Sequence, residues 1–145
     1  MRDNNWQGNR SDSSQTQPIW TGGSLAKEEI TKGVSEKTVE WAERFGKYLA
    51  KNPNAMTTTQ IRRFYGEVKR QQVTGWKPSD FAMLKPKLAY AVGRDKNKTK
   101  IRDFYDEMSK LFPAVTGPKE FDNFVKVYEA VVAYHKANAE EKDKN

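Results

Sequence analysis

The sequence predicts an all-α protein, a compact bundle of about five helices preceded by a disordered N-terminal tail. Apolar residues recur at helical spacing in successive segments, and no segment of useful length alternates with period two. Short connections containing glycine and proline separate these segments, as in helical bundles. A chain of 145 residues with seven Phe, six Tyr and four Trp is sufficient for one domain with a real core. We expect a tail over 1–24, a helical domain over 25–139 and a frayed C-terminus over 140–145.

The tail is predicted from its composition. Asn, Gln, Ser, Thr and Gly dominate residues 1–24, two Arg balance two Asp, and no apolar period appears. Trp6 and the Pro18-Ile19-Trp20 cluster interrupt this pattern. We interpret both as tail aromatics without a partner, with docking against a neighbouring helix as the alternative, and expect removal of 1–23 to leave the fold intact.

The first long helix is predicted to begin after Ser35, a good N-cap, and to end before Pro53, which disfavours helical backbone at the preceding residue. Helical spacing assigns its buried face to Val39, Ala42, Phe45 and Leu49, widened by Trp41 and Tyr48.

The second long helix carries its own start signal. Thr57 and Gln60 have the spacing of a capping box, and Thr74-Gly75 is expected to end the helix. One side is an apolar stripe at helical period, and the opposite side carries four cations around Gly66. The stripe consists of Ile61, Phe64, Tyr65 and Val68; the cations are Arg62, Arg63, Lys69 and Arg70.

The next segment, 77–94, contains a proline within a helical pattern. Ser79 is the expected N-cap and Gly93 the expected C-cap. Pro86 removes a backbone donor, so we expect a kink or two short helices.

Two further helices complete the predicted bundle. One opens at Asp95 or Asn97, buries Ile101, Phe104, Tyr105, Met108 and Phe112, and stops at Pro113. The last follows Gly117-Pro118 and is apolar over more than half its circumference, which predicts a central position with neighbours on two sides.

The positive charge is concentrated in one part of the chain. Residues 57–102 hold twelve Lys or Arg against three acids, and the remainder holds fourteen against sixteen. An excess this local favours nucleic acid as a partner, the alternative being a solvated face of a basic protein. The chain has no cysteine, no apolar leader and no run long enough to span a membrane, so we expect a cytoplasmic protein without a membrane partner.

Three ordered blocks carry a family resemblance: TTTQIRRFYGEVKR, LKPKLAYAVGR and FDNFVKVYEAVVAYHK. Together they resemble the small subunit of the type III-A (Csm) CRISPR effector complex, over about residues 56–136. The resemblance implies a non-catalytic helical subunit of an antiviral ribonucleoprotein, present in several copies. Its implied partners are the guide RNA–target RNA duplex, the backbone and large subunits, and further copies of itself. Alternatives are the small subunit of the related type III-B complex, and a helical adaptor whose basic face meets an acidic protein.

Two lines of reasoning select the candidate RNA-binding residues. The resemblance places the basic positions of the family on Arg62, Arg70, Lys85, Lys87, Arg94, Lys126 and Lys136. From the residues alone, Arg62 and Lys69 are seven apart, as are Arg63 and Arg70, which separates each pair by roughly 10.5 Å along one face. Such a ladder suits a phosphate backbone, since guanidinium groups bind phosphate oxygens in pairs. Lys96, Lys98 and Lys100 extend it as a basic loop, and a salt bridge to an acid such as Glu129 is the alternative role for Arg62 or Arg94.

Catalytic and cofactor chemistry is not indicated. His135 is the only histidine, so neither a zinc site nor a catalytic triad is expected, and we interpret it as a core residue. Tyr65, Tyr90, Tyr105, Tyr128 and Tyr134 accompany apolar stripes, which favours core packing over base stacking. We therefore expect no enzymatic activity, cofactor or metal, and RNA contact through phosphates without sequence specificity.

Overall fold

The computed structural model describes residues 19–140, and all regular structure in this range is helical. The helices are α1 (Glu28–Thr31), α2 (Glu36–Ala50), α3 (Thr58–Thr74), α4 (Pro78–Ala82), α5 (Leu84–Asp95), α6 (Ile101–Ser109) and α7 (Pro118–Asn138), with a 3-10 turn at Phe112–Ala114. The all-α prediction is confirmed, with five longer helices among the described residues. The disorder predicted for 1–18 and the end predicted to fray over 141–145 lie outside them. In the same range, no helix has the length and hydrophobicity that crossing a bilayer requires.

Helix α7 lies at the centre of the bundle, as its apolar circumference predicts. It packs along α2, against α3 on another side, and against α1 near its start. Tyr128 is fully buried, and its hydroxyl donates to the Ile61 carbonyl over 3.1 Å, which ties α7 to α3. Asn123 similarly donates to the Ile30 carbonyl of α1 over 2.8 Å. The buried residues of α7 are Phe121, Asn123, Phe124, Val125, Val127, Tyr128, Val131 and His135.

The crossing of α2 and α7 is unusually close at Gly46. A Cβ built on Gly46 would lie 2.8 Å from Cβ of Tyr134, 2.9 Å from the His135 nitrogen and 3.0 Å from the Val131 oxygen. Two of these atoms belong to the α7 backbone, which cannot turn aside as a side chain can. Glycine at this position therefore sets the distance between the two helices.

Helix α2 confirms its predicted ends but corrects its buried face. Ser35 is the N-cap, accepting from the Lys37 amide over 3.2 Å, and the helix ends before Pro53. Val39 is 49% exposed, so its predicted place in the stripe is wrong. Thr38 is buried instead, because its hydroxyl donates to the carboxylate of Glu29 on α1 over 2.6 Å.

Helix α3 begins and ends as predicted. The Thr57 hydroxyl accepts from the Gln60 amide over 3.1 Å, and the Gln60 side chain accepts from the Thr57 amide over 2.9 Å, so the capping box is complete. Gly75 ends the helix with φ of 101°, a conformation that favours glycine. Ile61, Phe64 and Val68 are buried, while Tyr65 is half-buried.

Pro86 divides the next segment into two helices, α4 and α5, as one of the two predicted outcomes. It occupies the first turn of α5, where a missing amide hydrogen leaves no helical bond unmade. Two boundaries were predicted wrongly. The N-cap is Lys77 rather than Ser79, because Pro78 takes the first helical position that suits proline.

The second wrong boundary is the end of α5, which continues through Gly93 to Asp95. Lys96 then adopts the left-handed conformation, with φ of 52°. Asp95 and Asn97 do not open α6, which begins at Ile101. The Asp95 carboxylate instead accepts from the Thr99 amide over 2.8 Å and the Thr99 hydroxyl over 3.0 Å, which shapes the connecting loop.

Lys100 belongs to the interior of the protein and not to the predicted basic loop. Its ammonium group donates to the carbonyls of Tyr48 over 2.9 Å and Lys51 over 2.7 Å, at the end of α2. The pKa of Lys100 is lowered by burial. Its cation therefore satisfies helix-end carbonyls and is not available to a ligand. The stop predicted at Pro113 is also wrong, since α6 ends at Ser109 and Pro113 lies within the 3-10 turn.

Trp20 corrects the interpretation of the tail aromatics. Its ring lies 5.1 Å from that of Phe45 and 5.1 Å from that of Tyr48, both on α2. The Gly23 carbonyl accepts from the indole of Trp20 over 2.7 Å and from that of Trp41 over 2.9 Å. Residues 19–24 thus contact α2, because tryptophan gains from apolar contact and a hydrogen bond together. Trp6 lies outside the described residues.

Replacing Gly46 with alanine is expected to destabilise the protein. Overpacking against the α7 backbone costs ~1–3 kcal/mol. We expect this cost to exceed the gain in helix propensity from glycine to alanine, which is about 1 kcal/mol. Gly66→Ala is the matched control, because nothing lies within 4 Å of a Cβ built there. Thermal melts should show a lower Tm for Gly46→Ala and a Tm raised by about 2–4 °C for Gly66→Ala. A raised Tm for both would contradict the close crossing.

Replacing Trp20 with alanine is expected to lower the Tm by ~4 °C or more, since two aromatic contacts are lost. Ile19→Ala is the control, because Ile19 is 69% exposed and exposed substitutions change stability little. Circular dichroism melts of the full chain measure both. Equal melting temperatures for the two variants would show that Trp20 contributes nothing to the fold.

Candidate nucleic-acid interface

Four cations converge on one groove between α3 and α5. The groove has a volume of about 500 Å³, and Arg63 of α3, Lys87 and Arg94 of α5, and Lys98 of the following loop line it. We call it the basic groove; its lining residues are Gln60, Arg63, Lys87, Tyr90, Ala91, Arg94, Asp95, Lys98 and Ile101. A smaller cavity of about 240 Å³ adjoins it and shares several of these residues. Cations from three separate segments therefore face one space.

Helical period explains why these side chains share the groove. Lys87, Tyr90 and Arg94 fall at i, i+3 and i+7 on α5, so they occupy one exposed edge. Leu84, Leu88 and Val92 form the buried stripe of the same helix. Arg63 is exposed beside buried Phe64 on α3. The packing that buries the apolar stripes thus places the cations along the groove.

The two carboxylates in this region are occupied within the protein. Glu67 accepts from Arg70 over 2.6 Å, from Gln71 over 3.2 Å and from Lys87 over 3.3 Å. The hydrogen bond from Arg70 lowers the pKa of Glu67 to about 2, with Gln71 and Lys87 assisting and burial opposing. Asp95 accepts from the Gln60 amide group over 3.0 Å, besides its bonds within the loop. Both acids organise the groove walls.

One cation of the ladder predicted on α3, Lys69, is bound to another helix of the protein. Lys69 donates to Glu129 of α7 over 3.1 Å and to Gln72 over 2.8 Å. The Tyr65 hydroxyl also donates to Glu129, over 3.0 Å, and burial together with this bond raises the pKa of Tyr65. Glu129 is therefore the partner of Lys69, rather than of Arg62 or Arg94 as the alternative proposed.

The remaining predicted residues are not part of the lining of the basic groove. Lys85 borders an apolar cavity with Trp76 and Phe81, on the side towards the 3-10 turn. Lys126 and Lys136 are exposed on α7. Of the nine predicted cations, the groove unites Arg63, Lys87 and Arg94; those outside its lining are Arg62, Lys69, Arg70, Lys85, Lys126 and Lys136.

Tyr90 is the feature that the sequence reasoning placed wrongly. Core packing was expected, yet its side chain is 69% exposed at the groove, with the Arg94 guanidinium carbon 5.9 Å from the ring centre. The helical period held the signal, because Tyr90 follows Leu88 by two residues and so points away from the buried stripe. For Tyr128, which is fully buried, and half-buried Tyr65, core packing is confirmed.

His135 belongs to the core, as predicted. It is fully buried on α7, and its Nε2 donates to the Met56 carbonyl over 2.6 Å. This bond connects α7 to the segment that leads into α3. Across residues 19–140, no group of three His, Cys, Asp or Glu side chains has the arrangement of a metal site.

Comparison with protein families places most of the chain in a described family. The family model described as Csm2 Type III-A matches residues 32–141, which include α2 to α7 and the whole basic groove. Searches of curated proteins and of solved structures each found no match.

Glu67 predicts a defined pH dependence of stability. The pKa of its carboxyl falls from an ordinary value of 4.5 to about 2 in the fold. The stabilisation is therefore fully present above about pH 4.5 and is lost as the pH falls through about 2. We expect Glu67→Gln to lower the Tm at neutral pH and the difference from the unsubstituted chain to shrink between these two values.

Melts over a pH series at low salt measure this effect. Glu40→Gln, at an exposed position of α2, is the control and should change the Tm little throughout. A Glu67→Gln difference that stays constant down to pH 2 would contradict an ionic origin.

Proposed function

This chain belongs to the Csm2 Type III-A family, the small subunits of the type III-A CRISPR complex, and we propose that its basic groove binds the phosphate backbone of RNA in that complex. The ligand is the guide RNA–target RNA duplex. The subunit acts without catalysis, by positioning and stabilising the duplex.

The arrangement of Arg63, Lys87 and Arg94 in one groove is the observation that carries the proposal. Lys87 and Arg94 are two helical turns apart, or roughly 10.5 Å along α5, and Arg63 faces them from α3. Cations on two walls can contact successive phosphates, and arginine binds phosphate oxygens through two parallel hydrogen bonds. Lys98 adds a fourth cation at the loop.

A second strip of cations supports contact with more than one segment of RNA. Arg62 is exposed on α3, and Lys126 and Lys136 are exposed on α7, three residues before and seven after Glu129. The ion pair between Glu129 and Lys69 joins these two helices. We propose that this strip adds phosphate contacts beyond the groove, where further copies of the chain and the backbone and large subunits assemble along the RNA.

Recognition through phosphates is expected to be independent of base sequence. Phosphate contacts position a nucleic acid but carry no sequence information, and base pairing with the guide supplies the sequence instead. A helical adaptor that binds an acidic protein remains the competing function. Salt dependence separates them, because RNA binding must weaken linearly in the logarithm of salt concentration.

Reversing the charge of the groove is expected to abolish most RNA binding. Four phosphate contacts give a log–log salt slope of about −3 to −4 for each bound copy. The triple variant Arg63→Glu, Lys87→Glu, Arg94→Glu should reduce affinity at least tenfold and bring the slope closer to zero. Gel shifts with a guide–target RNA duplex over a salt series measure both quantities.

A matched control separates local from overall charge. The triple variant Lys27→Glu, Lys32→Glu, Lys37→Glu makes the same change in net charge at exposed positions that flank α1 and begin α2. It should retain most of the affinity. Equal losses in the two variants would show that the groove has no special part, and a slope near zero for the unsubstituted protein would refute RNA binding itself.

A further inference from the structure

The basic groove presents an aromatic face to solvent as well as cations. The Tyr90 ring is 69% exposed and lies between Lys87 and Arg94 along the edge of α5. The Arg94 guanidinium carbon is 5.9 Å from the ring centre, close enough to orient the ring by a cation–π contact. Tyr90 contributes nothing to the core that Leu88 and Val92 form on the opposite side of the helix.

The groove also has an apolar part, which phosphate binding does not require. The adjoining cavity of about 240 Å³ is lined by Phe64, Leu88, Ala91 and Ile101, and by the polar side chains of Gln60, Arg63, Glu67 and Lys87. Apolar carbon atoms and an aromatic face add nothing to phosphate binding, but both favour the flat, weakly hydrated face of a nucleobase. The groove volume of about 500 Å³ is within the range of sites that hold small organic groups.

Stacking geometry indicates whether a base in the groove is paired or unpaired. In a paired helix both faces of each base are covered by its neighbours, so a protein ring reaches only an unpaired base that has left the stack. The phosphates on either side of such a nucleotide lie a few ångströms from its sugar. Cations on both sides of an aromatic ring match this arrangement.

We propose that Tyr90 stacks on the base of an unpaired ribonucleotide while Arg63, Lys87 and Arg94 hold the adjoining phosphates. This inference rests on the proposed function, since it assigns a nucleotide conformation to the RNA in the same groove. Stacking accepts any base because every base has a π face. The site therefore distinguishes unpaired from paired nucleotides and leaves base identity unread.

The test compares two RNA duplexes that differ by one nucleotide. One is fully paired, and the other carries a single unpaired nucleotide in one strand; fluorescence anisotropy of an end label measures the affinity of each. Tyr90→Ala should weaken binding to the bulged duplex by about fivefold to a hundredfold and leave the paired duplex within about twofold. Tyr90→Phe keeps the ring and should bind the bulged duplex as the unsubstituted protein does.

Two controls isolate the stack. An abasic residue at the unpaired position keeps the phosphates and removes the base, so it should abolish the difference between Tyr90→Ala and the unsubstituted chain. Val73→Ala removes apolar surface that is 85% exposed at the end of α3 and should change neither affinity. Circular dichroism melts of Tyr90→Ala should remain native, because the side chain is outside the core.

The outcomes distinguish this inference from the proposed function. If the unsubstituted chain binds both duplexes with a steep salt slope and Tyr90→Ala binds the bulged duplex equally well, stacking is refuted and phosphate binding stands. If neither duplex binds, both proposals fail. If poly-glutamate competes as effectively as bulged RNA of equal charge, the groove recognises an acidic protein surface, and the stacking proposal is overturned.

Discussion

The close approach of α2 and α7 at Gly46 is the constraint on which the remaining structure depends. Because no side chain separates the helices there, α7 lies deep enough to contact α1, α2 and α3 together. Tyr128 and Glu129 precede His135 on α7 by seven and six residues. They hold α3 through hydrogen bonds with Ile61 and Lys69. The position of α3 decides where one wall of the basic groove stands. A glycine in the core thus contributes to the position of a surface feature that it does not touch.

Residues of one chemical type have different roles here, and their partners decide which. Lys100 is buried against carbonyls and Lys69 bridges two helices, whereas Arg63 and Arg94 face an open groove. The sequence shows that cations are concentrated between residues 57 and 102, and helical period places several of them on exposed edges. It does not show which cations meet an acid from a distant segment, because that depends on how α3 and α7 pack. The exposure of Tyr90 was readable from its spacing to Leu88, and was missed because tyrosine near an apolar stripe usually packs into the core.

The elements that local interactions determine were predictable in detail. The capping box at Thr57 and the N-cap at Ser35 involve residues two or three apart, so the sequence contains both partners. The predicted burial of Val39 was wrong because the rotation of α2 depends on Glu29 of another helix. The Glu29 carboxylate binds the Thr38 hydroxyl, so that Thr38 faces the interior in place of Val39. The prediction that Trp20 has no partner was wrong for a related reason. Composition describes the average of a segment, whereas a single tryptophan can pack on a helix regardless of its neighbours in sequence. Long-range contacts are therefore the part of this fold that single-sequence reasoning does not reach.

The central helix is also the last helix, in chain order, of the part of the protein that the structure describes, residues 19–140. Ribosomes add residues from the N-terminus at about 5–20 per second, so α2 and α3 leave the exit tunnel several seconds before Val131 and His135 do. During that interval the apolar faces of both helices have no partner, because most of what covers them is on α7. Exposed apolar surface of this kind favours aggregation and chaperone binding, and we expect it to be covered only once α7 has been synthesised. A chain that stops before α7 lacks the helix that buries these faces, so we expect such a fragment to lose most of the packing of α2 and α3.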